Sequence, residues 1–151
     1  MEPLYRAIVA RGRDPAWYRE GAVPDTLDGR FDMIAALLAL VLLRFEREGE
    51  AARDPSVLLT ETFIADMDAT LRQLGIGDHL VGKHVGRMMG ALGGRIGAFR
   101  EGNVADAVRR NIFHESPPSD AAVSFVAGRL AAFSDGLDAA AFDGLHAGTL
   151  P

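Results

Sequence analysis

Catalysis by side chains needs a nucleophile, a poised acid or base, or a metal, with the groups converging on one point. Asp66 and Asp68 look like a carboxylate pair, but positions two apart on a helix lie about 200° from each other around the axis. They straddle the apolar stripe through Met67 and point apart. Asp68 is then placed to form an i,i+4 ion pair with Arg72, worth roughly a few tenths of a kcal/mol. The histidines are His79, His84, His114 and His146. His79 and His84 are five apart across a loop-to-helix junction, which is not the i,i+4 pair of a helical zinc site, and no H-E-x-x-H occurs. No serine sits in G-x-S-x-G. Gly75-Ile76-Gly77 does not follow a strand, as a dinucleotide-binding loop would require. These residues predict a protein with no catalytic site, no metal and no cofactor.

The elements that carry these residues are bounded by composition. The chain has 151 residues, 48% apolar and 25% charged, enough for one domain with a real core. A net charge of −5 argues against a protein built to grip nucleic acid. Cysteine is absent, so disulfides, thiolate sites and a cysteine nucleophile are excluded, and redox chemistry does not fix the compartment. Met1 to Arg6 shows neither a signal-peptide nor a transit pattern. The expected location is cytoplasmic, with peripheral attachment to the inner face of the cytoplasmic membrane left open. Basic charge resides in fifteen arginines and Lys83 alone, a bias that suggests a GC-rich bacterial genome. The longest apolar run, Met33 to Leu43, would rise about 16 Å as a helix, about half of a bilayer core. A buried central helix is favoured over an interfacial membrane segment.

The periodicity predicts an all-α protein: a single compact bundle of about six to seven helices spanning residues 1–151. A short helix over 3–11 ends at Gly12, Asp14 and Pro15, and Trp17-Tyr18 falls in a loop running to Pro24. Asp25 or Thr26 caps the next helix, with Asp28 in its first turn, and helical patterning continues to about Glu48. Asp54-Pro55-Ser56 marks a break and a new start. Leu59 or Thr60, Phe63, Ile64, Met67, Leu71 and Leu74 then form a stripe that Gly75 ends. After the loop Gly75-Ile76-Gly77-Asp78, a second stripe comprises Val81, Val85, Met88, Leu92, Ile96 and Phe99. Further helices are expected at 103–112 and 119–134, separated by Ser116-Pro117-Pro118-Ser119. The tail from Ala139 reads as a helical turn and a frayed end.

One helix is unusual. Gly82, Gly86, Gly90 and Gly94 recur every four residues, with Gly93 and Gly97 beside them, although each interior glycine costs about 1 kcal/mol relative to alanine. Three readings stand: close packing against the Ala-rich helix containing Ala35, Ala36 and Ala39; a groove flanked by Met88 and Met89 that accepts a client helix; or a helix broken in isolation.

Trp17-Tyr18, Val23 to Asp32, Phe63 to Asp68 with Leu71-Arg72, Leu74 to Asp78, and Val81-Gly82-Lys83 together resemble the ubiquinol–cytochrome c chaperone domain. Ala107 to Phe113 and Ala122 to Leu130 are similar to the family's C-terminal helices, giving a family-like region of about 15–135, with an N-terminal helix over 1–14 and a tail over 136–151. The resemblance implies a non-catalytic assembly chaperone that binds cytochrome b, or another subunit of the bc1 complex, and supports biogenesis of that complex. It also implies contact with a ribosome or the inner-membrane surface, no specific nucleic acid, and an oligomeric state left open. The implied partner-binding positions are Trp17, Tyr18, Pro24, Asp25, Asp28, Gly29, Arg30, Phe31, Asp66, Asp68, Arg72, Gly75, Gly77, Asp78 and Lys83, to which the groove reading of the glycine helix adds Gly86, Met88, Met89 and Gly90. For Val23 to Phe31 the alternative is a cap that orders a loop; Gly29 with Arg30 would otherwise leave a backbone site open. Two departures stand out. Many relatives carry a histidine near Leu37-Leu38, and an aromatic pair before Gly94-Arg95 where this chain has Leu92-Gly93. The rival function is a helical adaptor or lipid-surface module using Arg47, Arg53, Lys83, Arg87, Arg95 and Arg100.

Overall fold

The computed structural model describes residues 1–113 and 117–151; His114 and Ser116, both invoked above, lie outside the described residues. The helices are α1 (Glu2–Gly12), α2 (Pro15–Arg19), α3 (Leu27–Glu46), α4 (Arg53–Gln73), α5 (Asp78–Arg100), α6 (Val104–Asn111), α7 (Asp120–Ala139) and α8 (Phe142–His146), with a 3₁₀ turn at Gly49–Ala52. No strand occurs among the described residues. This is the expected all-α bundle, its count extended by the five-residue helices α2 and α8.

The bundle is organised around α3. Thr26 is its cap, Oγ1 accepting from the Gly29 N–H at 3.1 Å, while Asp25 pairs instead with Arg30 at 2.9 Å. Because α3 is apolar almost all round, it can bury every face. It packs against α1, α4, α5 and α7. The core it anchors runs continuously from Leu4 in α1 to Leu145 in α8.

Several local expectations are corrected. Trp17-Tyr18 is helical rather than looped. Asp14 caps α2 through the Ala16 N–H (2.9 Å) and Pro15 occupies the first turn, where its missing N–H costs nothing. Trp17 is 1% exposed, donates from Nε1 to Arg11 O at 2.8 Å, and lies 4.2 Å beneath the Arg129 guanidinium. Arg129 also hydrogen-bonds Asp14 at 2.8 Å, which holds that carboxyl below its ordinary pKa. The new start expected at Asp54-Pro55-Ser56 falls one residue earlier: α4 begins at Arg53, directly after the 3₁₀ turn, and tolerates Pro55 in its first turn. Leu74 caps α4 on the exposed side instead of joining the stripe. Beyond it, Gly75 takes φ +83°, and the bonds Gly75 N–H to Arg72 O and Ile76 N–H to Leu71 O close the helix end. The tail is docked, not frayed. Phe142 meets Phe45 edge-on at 5.1 Å, Leu145 is fully buried, and Arg11 donates to Pro151 O. Arg44 caps the end of α7 from inside, donating to Leu137 O (2.9 Å) and Ala140 O (3.2 Å).

Helix α5 is attached differently from the others. Over its whole length it buries only Val81, Leu92, Arg95 and Phe99. Arg95 reaches into the bundle, where its guanidinium hydrogen-bonds Asp32 of α3 and donates to Asn111 O of α6 at 2.9 Å. Both residues are under 5% exposed. Burial pulls the guanidinium pKa down, and the Asp32 charge works against that shift. On the outer side, a Cβ placed at Gly82, Gly86, Gly90, Gly93, Gly94 or Gly97 would meet nothing within 4 Å. The glycines therefore do not serve packing against Ala35, Ala36 and Ala39, and α5 is continuous rather than broken. They leave its outer face bare.

Asp32→Ala strands a buried cation and should cost about 3–5 kcal/mol in urea unfolding, whereas Asp32→Leu combined with Arg95→Met should cost much less than the two single changes summed. A cost below about 1 kcal/mol for Asp32→Ala would remove the pair from its structural role. Gly86→Ala should stabilise by up to about 1 kcal/mol. Gly29→Ala should instead destabilise by about 1–3 kcal/mol, because its Cβ would collide with the Pro24 carbonyl.

Candidate functional site

The first turns of α3 present Asp28, Phe31 and Asp32 at i, i+3 and i+4, so the three share one side of the helix. The middle of α5 presents His84, Arg87, Met88 and Ala91 in the same way. The Asp32–Arg95 pair fixes these faces opposite each other, and between them lies an open pocket of about 360 Å³ lined by these seven residues. Phe31 and Met88 are half-buried and pack on the core edge. Phe31 is tilted against Phe63 at 5.8 Å and carries the Arg95 guanidinium 5.7 Å from its ring centre. Charged groups rim the opening, with Arg87 hydrogen-bonded to the His84 ring. Around the outer side of α5, Gly82, Gly86, Gly90, Gly93 and Gly94 are exposed, and a Cβ at any of them would meet nothing within 4 Å; Lys83 stands among them. The result is a shallow trough in which Phe31, Met88 and Ala91 sit among Asp28, Asp32, His84 and Arg87.

A second pocket of about 350 Å³ lies around the other side of the α3 first turn, lined by Arg13, Pro15, Tyr18, Arg19, Asp25 and Arg30. Tyr18 is half-buried and donates its hydroxyl proton to Gly12 O at 2.7 Å. Its burial raises the phenol pKa. Thus Phe31, Asp28 and Met88 come together at the trough, while Tyr18, Asp25 and Arg30 gather beside it. Lys83, Gly86 and Gly90 are exposed on the outer face of α5, and Met89 is half-buried next to them.

The remaining predicted positions lie elsewhere. Trp17 belongs to the core and offers no surface to a partner. Gly29 is not an open backbone site, since the Pro24 carbonyl fills the space beside it. Asp66 accepts the Tyr5 hydroxyl proton at 2.7 Å, and burial together with this bond raises the Tyr5 pKa. Asp68 and Asp66 diverge as helical geometry requires: Asp68 accepts from Arg72 Nε at 2.7 Å, and Arg72 also bonds Asp78. This triad, with Gly75 and Gly77, shapes the α4–α5 turn and lines neither pocket. Among the described residues no three His, Cys, Asp or Glu side chains group as metal ligands, and no helix is long and apolar enough to cross a membrane.

The basic set of the rival reading is largely neutralised. Arg95 is buried against Asp32, Arg47 pairs with Asp138 (2.5 Å), Arg100 with Glu46 (2.6 Å) and Arg53 with Glu50 (3.6 Å). Both family departures fall within or beside the core: Leu37 and Leu38 are fully buried, and Leu92 is 2% exposed while Gly93 faces outward. The sequence reading missed Asp32, Arg95 and Arg44. A signal existed for the first two, because Asp32 opens the apolar run of α3 and Arg95 sits at i+3 from Leu92 on the stripe that buries α5.

The ubiquinol-cytochrome C chaperone family model matches residues 19–149, reaching well into the tail. In fold the chain is similar to the crystal structure of the Cbp3 homolog from Brucella abortus, with a TM-score of 0.82 and 28% sequence identity over 99% of this chain and 86% of that one. No curated protein matches the chain. With a family match that spans α3 through α8 and a fold shared over nearly its whole length, the chain belongs to the ubiquinol–cytochrome c chaperone family.

Proposed function

We propose that this protein is a non-catalytic assembly chaperone of the ubiquinol–cytochrome c reductase (bc1) complex that holds cytochrome b against the trough between α3 and α5. One observation carries the reading beyond family membership: Phe31 and Met88 stand half-buried in an open pocket between α3 and α5, while the outer side of α5 carries glycines that nothing in the fold uses, at a cost in helix stability. A bare backbone ridge lets another helix approach closely, as small residues do between membrane helices. Methionine adapts its shape to the surface it meets. Both properties suit a client held before it reaches its final packing.

A photo-crosslinker at Met88 or Arg30 should capture cytochrome b in the native host, and one at Ser124 on the outside of α7 should not. Gly86→Leu and Gly90→Leu project into solvent and should fold normally while lowering the level of assembled bc1 complex several-fold. Normal bc1 levels in a deletion strain, or equal capture from Met88 and Ser124, would contradict the proposal.

A further inference from the structure

The pocket beside the trough has a chemistry of its own. Arg13 from the end of α1, Arg19 from α2 and Arg30 from the first turn of α3 open on one concavity, walled by Pro15 and the Tyr18 ring. Three elements thus bring three guanidinium groups to one place in a chain whose net charge is −5. Asp25 is the one carboxylate in the lining. It takes the Arg30 Nε at 2.9 Å, which leaves the two terminal nitrogens of Arg30 without a partner among the described residues. Arg19 makes a loose, exposed ion pair with Glu20 at 3.8 Å, beyond hydrogen-bond reach, so its N–H donors stay open to a ligand. Arg13 has no carboxylate partner among the described residues. Tyr18 spends its hydroxyl proton on Gly12 O and turns only its ring toward the pocket wall.

We infer that this pocket binds the carboxylate of an acidic peptide segment. Guanidinium groups present paired N–H donors that match a carboxylate edge, which makes arginine rather than lysine the fitting residue. The volume, about 350 Å³, equals roughly a dozen water molecules, room for one acidic side chain and a short stretch of its backbone. A membrane surface fits less well. Attraction to anionic lipid is worth about 1 kcal/mol per basic residue near the surface and needs a flat basic face, whereas these arginines line a concavity on an acidic protein. The pocket also adjoins the proposed client trough: Arg30 and Phe31 are successive residues of α3 that face the pocket and the trough respectively. A client segment lying along α5 can set an acidic residue between Arg13 and Arg19. That last assignment rests on the chaperone reading, while the anion chemistry does not.

The test uses the full chain and a fluorescein-labelled peptide carrying three glutamates between serines and glycines, with its glutamine counterpart as control, followed by fluorescence anisotropy. The glutamate peptide should bind saturably and at least ten-fold tighter than the glutamine peptide at low salt, weakening as salt rises. Arg13→Gln with Arg19→Gln should cut its affinity about ten-fold without changing the thermal melt, and Arg13→Lys with Arg19→Lys should restore part of it. Equal binding of the two peptides, or undiminished binding by the glutamine variant, overturns the inference. So does arginine-dependent flotation of the protein with anionic phospholipid vesicles that the glutamate peptide fails to compete away. Because no cytochrome b is present, failure here leaves the crosslinking result at Met88 to be judged separately.

Discussion

Asp32 and Arg95 lie side by side inside the bundle, and the placement of α5 depends on them. Stripping two charges of water is costly, and their attraction recovers that cost only when the geometry is fixed and remaining donors are met. Here one terminal nitrogen of the guanidinium bonds both Asp32 of α3 and the Asn111 carbonyl of α6, while the buried Nε makes no hydrogen bond among the described residues. An apolar contact tolerates sliding by a fraction of a turn, but this pair does not. It sets the register of α5 against α3, where α5 fully buries only Val81, Leu92 and Phe99 as apolar anchors and packs Met88, Met89, Ile96 and Ala98 at the core edge.

That economy of anchoring explains the shape of the surface. A helix held along a full apolar stripe needs side chains around much of its circumference and would fill its outer side with ordinary helix formers. Helix α5 turns its packed residues to one side, so positions on the other are free to be glycine, with Lys83 standing among them. On α3 the same first turns that supply Asp32 also supply Phe31 and Asp28 to the trough and Arg30 to the arginine pocket. One short stretch of α3 thus anchors α5 from within and shapes both openings from outside.

Much of this was legible in the residues. The apolar run from Met33 to Leu43 favoured a buried helix over an interfacial one, and Asp25-Thr26 with Asp28 marked its start. The 3.6-residue spacing likewise foretold that Asp66 and Asp68 would diverge. What remained hidden depended on contacts between segments distant in sequence. Trp17-Tyr18 reads as loop beside Pro15, yet Arg129 from α7 closes over the indole and makes the segment helical core. The glycine-rich tail reads as loose, yet Arg44 and Phe45 of α3 supply caps and a ring for it to dock on. The glycine spacing in α5 was visible, but whether those glycines faced α3 or solvent turned on where Arg95 went.

The exposed side of α5, together with the first turns of α3, is the proposed seat of the client. Hydrogen–deuterium exchange of the protein, alone and with detergent-solubilised cytochrome b, tests it directly. Protection should concentrate on Gly82 to Ala91 and on Asp28 to Asp32, with α7 and α8 unchanged. Protection confined to α7 and α8, with α5 exchanging as in the free protein, would contradict it.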